Sequence, residues 1–310
     1  MTSRLSPNGA ERRVSFGDQE AFVVEAGGAL RDYRVGGRSF LDHFGPDEMS
    51  SAARGHILMP WPNRLRDGIY TFGGEQHQVP LSEPDTRTAL HGLVRWDTWQ
   101  LLDAEPASVS VRHQLLPRDG YPFSLATAVT YSLATKGLTV ASEVLNNGSA
   151  ALPFGAGFHP YFRVGLAPVD GWTLQLPAER RLQLDGQGIP TGTGEDVAGS
   201  EFDFRRPRLI GALKLDTAFT GLSRDEDGLA RAGLSASDGG QLTVWMDAAF
   251  DHIMVFSGDV LPHPEQRRRS LAIEPMTCAP NALQEGTART LQPGENWVFR
   301  WGVEPGRVSS

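Results

Sequence analysis

Val109-Ser110-Val111-Arg112-His113-Gln114-Leu115, Phe123-Ser124-Leu125-Ala126-Thr127-Ala128-Val129-Thr130-Tyr131 and Leu138-Thr139-Val140-Ala141-Ser142-Glu143-Val144 follow one another with apolar side chains at nearly every second position. Side chains of a strand alternate between its two faces, so each run has one face for a core and one for water. The three runs are read as consecutive strands. Outward from them, Trp172-Thr173-Leu174-Gln175-Leu176, Leu242-Thr243-Val244-Trp245-Met246 and Trp297-Val298-Phe299-Arg300-Trp301 repeat the pattern, and no 3.6-residue apolar period persists over a helix length. Thirty-five glycines and twenty-one prolines punctuate the chain throughout. Gly27-Gly28, Gly36-Gly37, Gly73-Gly74 and Asn147-Gly148 read as hairpin turns, and the polar interval Leu184 to Ser200 as a surface loop. Many strands without a helical layer bury their apolar faces by stacking sheets, so the expectation is an all-β sandwich, with residues 1–310 as one domain.

Composition narrows the function. The 310 residues carry a formal charge of −8, which argues against a nucleic-acid surface, because neutralising phosphates needs a concentrated basic face. No run approaches the ~20 apolar residues of a membrane span, and Met1 to Arg13 is polar without an apolar segment, so no membrane partner and a cytoplasmic location are expected. The single cysteine, Cys278, agrees with a reducing compartment. No HExxH or paired cysteines occur and the eight histidines are dispersed, so no metal and no cofactor is expected. Asp225-Glu226-Asp227-Gly228 faintly resembles a calcium loop, but Leu234 stands where the closing Glu belongs, and the segment reads as an exposed turn. Neither Gly-x-Ser-x-Gly nor a phosphate-binding Walker loop is present. Oligomeric state leaves no sequence signal.

What remains is a set of polar residues in apolar or turn-forming contexts: Asn63-Arg64 after Met59-Pro60-Trp61-Pro62, His91 in Ala89-Leu90-His91-Gly92, His159 in Gly157-Phe158-His159-Pro160-Tyr161-Phe162, Asp216 in Leu215-Asp216-Thr217-Ala218-Phe219, and Glu274 in Ala272-Ile273-Glu274-Pro275-Met276. Singly, each has a bland reading as a core histidine, a surface ion-pair partner, a turn residue or a strand end. Together, His159 and Glu274 form an acid and base suited to proton transfer. Pro160 and Pro275 push the residues before them toward extended backbone, consistent with side chains held at strand ends. Trp61, Trp96, Tyr161 and Phe162 are candidate aromatic walls, with core packing as the alternative, favoured for Phe162.

These motifs, from about Pro60 to Ala282 and in order, resemble the aldose 1-epimerases (galactose mutarotases), particularly a bacterial branch with Pro-Trp-Pro-Asn-Arg-Leu-Arg-Asp-Gly, Ala-Leu-His-Gly-Leu-Val-Arg-Trp, Gly-Phe-His-Pro-Tyr-Phe, Leu-Asp-Thr-Ala-Phe and Ile-Glu-Pro-Met-Thr-Cys. The resemblance implies the galactose mutarotase-like β-supersandwich and a small-molecule sugar substrate. It implies Glu274 as general base, His159 as general acid, and Arg64, His91 and Asp216 on the sugar hydroxyls and ring oxygen; Asn63, Trp96 and Tyr161 join them as candidate binding residues.

Anomer exchange moves one proton off the C1 hydroxyl and another onto the ring oxygen, which a carboxylate and an imidazolium on opposite sides of the C1–O5 unit can do without a metal. The chain departs from well-known galactose-active members, having Arg163-Val164 after Phe162 in place of Asn-Leu, and the short Leu93-Val94-Arg95-Trp96 after Leu-His-Gly. The branch it resembles includes epimerases of sugar 6-phosphates and sulfosugars, and Arg95, Arg163 and Arg267-Arg268-Arg269 are candidates for clamping an anionic C6 group. Two other classes stay open: a carbohydrate-binding protein, which needs neither acid nor base, and a β-sandwich glycoside hydrolase, which needs two carboxylates about the scissile bond.

Overall fold

The computed structural model describes residues 6–306, so the Met1 to Leu5 part of the polar N-terminal stretch lies outside the described residues. The three opening runs become the antiparallel strands Ser108–Leu115, Leu125–Ala134 and Gly137–Leu145 of a nine-stranded sheet, which continues through Asn296–Pro305, Gln241–Met246, Ala230–Ala236 and Trp172–Gln175. Register follows the apolar alternation: Val109 faces Tyr131 and Val140 faces Trp301, placing buried side chains of neighbouring strands on the same face. Burying each such side chain is worth about 1.5–3 kcal/mol.

An eight-stranded antiparallel sheet holds Ala178–Arg181, Asp216–Leu222, His252–Phe256, Leu271–Met276, Gly157–Phe158 and Ile57–Leu58, with Tyr161–Phe162 also pairing to Leu271–Met276. A four-stranded sheet begins at Glu11–Phe16. It is tied to the large sheet where the Tyr131 hydroxyl donates to the Gly28 carbonyl at 2.7 Å. One contiguous core runs through residues from Val14 to Val303. Among the described residues helix is confined to the single α-turn Ala282–Glu285 and short 3₁₀ turns, and no helix there is long and apolar enough to cross a membrane.

Most turn readings hold: Gly27-Gly28, Gly36-Gly37 and Gly73-Gly74 each join paired strands. Asn147-Gly148 does not. Gly137–Leu145 pairs with Asn296–Pro305 whereas the following Leu152–Phe154 pairs with Arg289–Leu291, so this turn carries the chain between sheets; the buried Asn146 side chain bonds the Ala150 and Leu291 carbonyls at 2.9 Å and sets its path. The Asp225 turn closes on itself, its Oδ1 accepting the Asp227 and Leu229 N–H groups at 3.0 Å. The Leu184–Ser200 interval contains the strand Glu195–Asp196 and packs its Gly188 against Arg64, so close that a β-carbon there would lie 2.6 Å from Nη1.

Glu274 lies inside Leu271–Met276 and does not end it. That strand pairs with the opposite chain at Gly157↔Met276 and Tyr161↔Ala272, while between them His159 turns away: its N–H donates to the His56 carbonyl at 3.2 Å and its carbonyl accepts from Gly55 N–H at 2.9 Å. The ladder therefore opens beside Glu274. Pro275, which has no N–H to give, sits where no donor is required.

Candidate active site

The opening in the ladder is the floor of a cavity of about 200 Å³ lined by Asn63, Arg64, His91, His159, Tyr161, Asp216 and Glu274, seven of the eight residues singled out in the sequence. Sites for drug-sized ligands run from roughly 300 Å³ upward, so this one suits a single small polar molecule. A wider groove of about 620 Å³ on the polar face of the large sheet includes His113, but that imidazole is committed to Asp97 at 3.0 Å.

Strand register explains the floor. Asp216 opposes Phe256, Glu274 opposes Met254, and Met254 and Phe256 are two residues apart, so all four project from the same face. Val260 and Leu261, beyond Phe256, add an apolar rim.

Glu274 and His159 meet at the centre, Oε1 to Nε2 at 3.4 Å, and both side chains are almost wholly buried. Burial pushes the Glu274 carboxyl well above its ordinary range, reinforced by the Asp216 charge and opposed by Arg64. Burial and then the charge of Arg54 push the His159 imidazole down to about 3. Both causes favour uncharged forms, because taking a charge out of water costs more than the other partner returns. The two side chains lie side by side at the cavity floor.

Arg64 stands beside them in a forked pair with Glu83, Nε to Oε2 at 2.8 Å and Nη2 to Oε1 at 3.3 Å, and the Asn63 side chain accepts the Arg64 N–H at 2.9 Å. Sequence reasoning does not find Glu83. Its only signal is a lone carboxylate in the polar Ser82-Glu83-Pro84 turn, brought to Arg64 by the short ladder of Arg64–Arg66 with Thr88–Leu90. Gly92 of the Leu-His-Gly motif has a positive φ and lies so close to the Met59 carbonyl that a β-carbon would fall 2.0 Å from that oxygen, which brings His91 over the cavity. Burial holds His91 well below its ordinary value, with His159 the next cause.

Tyr161 lines the cavity with its ring stacked on His159, centroids 4.8 Å apart and planes at 11°. Trp96 is a correction: it is absent from the lining and 53% exposed, its ring lying against His56 at 5.1 Å and under the Arg95 guanidinium at 5.1 Å. Trp61 and Phe162 are core residues, the Trp61 indole donating to the Ala89 carbonyl at 3.2 Å. Of the arginines considered for an anionic group, only Arg95 lines the cavity. Arg268 pairs with Asp170 and Asp259, Arg269 with Asp42, Arg267 bonds the Leu261 carbonyl, and Arg163 borders a different pocket. Among the described residues no cluster of three or more His, Cys, Asp or Glu side chains is placed to hold a metal ion.

The fold is a large antiparallel β-sandwich, and its small polar cavity holds a buried carboxyl–imidazole pair. The chain belongs to the aldose 1-epimerase family, whose sequence model matches residues 13–303. It is 34% identical to the uncharacterized protein YihR of Escherichia coli (strain K12) over 283 residues, covering 88% of this chain and 85% of that one. Against the aldose 1-epimerase of Streptococcus thermophilus identity is 25% over 215 residues, 65% of this chain and 60% of that one. Among solved structures, the GalM/aldose epimerase homologue from C. elegans superimposes with a TM-score of 0.85 over 97% of this chain and all of that one, at 18% identity, a likeness of fold.

Proposed function

We propose that the protein is a cofactor-independent aldose 1-epimerase interconverting the α and β anomers of a free aldose, with Glu274 and His159 exchanging protons with O1 and O5. The observation that carries this reading is the 3.4 Å approach of Glu274 Oε1 to His159 Nε2 at the cavity floor. O1 and O5 are both bonded to C1, so the group that takes a proton from one and the group that gives a proton to the other must themselves be neighbours.

With the sugar bound, the Glu274 carboxylate takes the C1 hydroxyl proton, the C1–O5 bond breaks as the C1 carbonyl forms, and His159 gives its proton to O5. Rotation about C1–C2 and the reverse transfers close the other face. Opening starts from the charged pair and ends with carboxylic acid and neutral imidazole, the forms that burial favours. The site's electrostatics therefore work toward the ring-opened state, and each partner supplies on the order of 10²–10⁴ in rate. Arg64, His91, Asp216 and Asn63 hold hydroxyl groups, while the Met254–Phe256 wall packs on the ring.

Anomer equilibration followed by NMR over a panel of neutral, phosphorylated and sulfonated aldoses tests the proposal. Acceleration above the spontaneous rate for at least one sugar supports it; binding without acceleration for any points to a carbohydrate-binding protein instead.

Arg95 favours a second reading, in which the sugar carries an anionic C6 group. Among the described residues its guanidinium has no carboxylate partner, and burial lowers its pKa while Glu83 opposes that effect from a distance. An unpaired cation in a cavity wall gains a charge-assisted bond from an anionic ligand. Arg95→Met then raises KM for a phosphorylated or sulfonated aldose about tenfold or more and leaves that for the neutral sugar unchanged; equal effects on both contradict this reading.

A further inference from the structure

Arg54 is a buried arginine whose charge the chemistry above leaves unused. It does not line the cavity, although its neighbours Ala52 and Ala53 do. Its Nε donates to Asp42 Oδ2 at 3.1 Å, its Nη1 to the Ser51 carbonyl at 3.0 Å and hydroxyl at 2.9 Å, and its guanidinium lies 4.6 Å from the centre of the Tyr161 ring. The Tyr161 hydroxyl donates to the Ala52 carbonyl at 3.2 Å, closing the Ser51–Arg54 loop round the ring. On the cavity side of Tyr161 comes His159, stacked at 4.8 Å. Guanidinium, phenol and imidazole thus form a three-layer stack whose last member meets Glu274.

We propose that Arg54 is a positioning residue for His159, acting through Tyr161 to fix the plane of the imidazole with Nε2 toward Glu274 and setting a fixed positive charge behind it. This rests on the epimerase reading given above. A cation favours one face of the phenol ring by attraction to its π electrons, which locks Tyr161 and so the ring stacked on it. An imidazolium in the third layer would set a second cation two ring spacings from the first with no water between to screen them. Asp42 does not cancel the Arg54 charge, because it is shared with Arg269 at 2.9 Å and with the Ser270 hydroxyl at 3.0 Å. The other groups facing His159 are Glu274 at 3.4 Å, His91 at its edge, and His56 and Arg95, which disfavour its charged form.

The test is the pH profile of R54M, R54K and D42N against the parent, together with imidazole ¹⁵N spectra of the sugar-free proteins assigned with H159N. At two ring spacings and an effective dielectric of about 20, one charge shifts a pKa by about one unit. The acid limb of kcat/KM should therefore move up by about one pH unit in R54M, stay at the parental position in R54K, and move down in D42N, where two arginines lose their shared carboxylate. At pH 4 the spectra should find His159 about half charged in R54M against about one-tenth in the parent, taking the parental value of about 3. A merely structural Arg54 lowers activity without moving the limb, and coincident limbs in the parent, R54M and D42N overturn the proposal. Should R54M fail to fold, D42N carries the test: a downward shift supports the proposal and an unmoved limb overturns it. Should the parent turn over no aldose of the panel, the epimerase reading fails, and the sugar-free spectra still decide the role of Arg54.

Discussion

Asn63 and His91 grip each other in both directions: the Asn63 N–H donates to His91 Nδ1 at 3.2 Å, and the His91 N–H donates to the Asn63 carbonyl at 2.9 Å. Both residues have positive φ, 55° and 65°. Because Nδ1 is an acceptor here, the proton of the neutral ring sits on Nε2, which makes His91 a hydrogen-bond donor to the cavity.

His91→Ala should therefore raise KM and lower kcat/KM about tenfold, the value of one good hydrogen bond to a hydroxyl held in both ground and transition states. Steady-state kinetics on the accepted sugar check it; unchanged saturation would make His91 purely structural. Asn63→Ala should add a loss of about 1 kcal/mol in unfolding free energy, since alanine tolerates positive φ less well.

Glu83→Gln should weaken sugar binding without touching the acid or base. The Arg64 guanidinium would exchange a forked charged pair for a single neutral bond and lose its fixed direction. KM rises about tenfold and kcat changes little. A KM equal to the parent's would mean that Arg64 is positioned without Glu83.

His159→Ala should fold, because its side chain lies at the cavity floor and not in the core between sheets, and should lose turnover by about 10²–10⁴. Far-ultraviolet circular dichroism and anomer-exchange rates settle both halves. A folded variant with near-parental turnover would remove His159 from the chemistry.

Acid should destabilise the protein well above the carboxylate range. His56 and His159 are held down to about 3, and His91 is lowered too, by burial in each case. Below the unfolded value of ~6.5 the unfolded chain binds protons that the folded one refuses, so stability falls as pH falls, by about 1.4 kcal/mol per unit for each histidine. Glu274, raised in the fold, has the opposite sign: its stabilisation is present at low pH and is lost as pH rises through its folded value. His56 and His159 together give a slope approaching two protons, about 2.7 kcal/mol per unit, near pH ~5.5, which His91 adds to and Glu274 subtracts from. Urea unfolding at several pH values measures it, and His56→Gln should remove about one proton from the slope; an unaltered slope contradicts the assignment.

Local patterning makes the strands of the large sheet legible from Val109 to Val144 and again at Trp297 to Trp301, since apolar alternation over several residues is the signature of a strand with one face in a core. What pairs Gly137–Leu145 with Asn296–Pro305 is core packing between distant segments, which leaves no local mark, and for that reason Asn147-Gly148 reads as a hairpin where none forms. Three of the strands around the site, Ile57–Leu58, Gly157–Phe158 and Tyr161–Phe162, are two residues long and below any periodicity. Motifs locate His159 and Glu274 where periodicity is silent. They say nothing of Glu83 or Arg54, whose partners lie 19 residues away at Arg64 and 107 residues away at Tyr161 (161 − 54). Residue type draws Trp96 toward the site, while its neighbour Arg95 is the one that reaches the cavity.

The central claim is that Glu274 exchanges a proton with the C1 hydroxyl, and Glu274→Gln tests it most directly. The amide keeps the shape of the carboxyl and its hydrogen-bonding reach but cannot serve as the base. Anomer exchange measured by NMR, with sugar affinity measured by calorimetry on the same folded sample, should give near-parental binding and a rate lower by about 10²–10⁴. A rate within a few-fold of the parent would contradict the account and leave Glu274 as a buried structural residue.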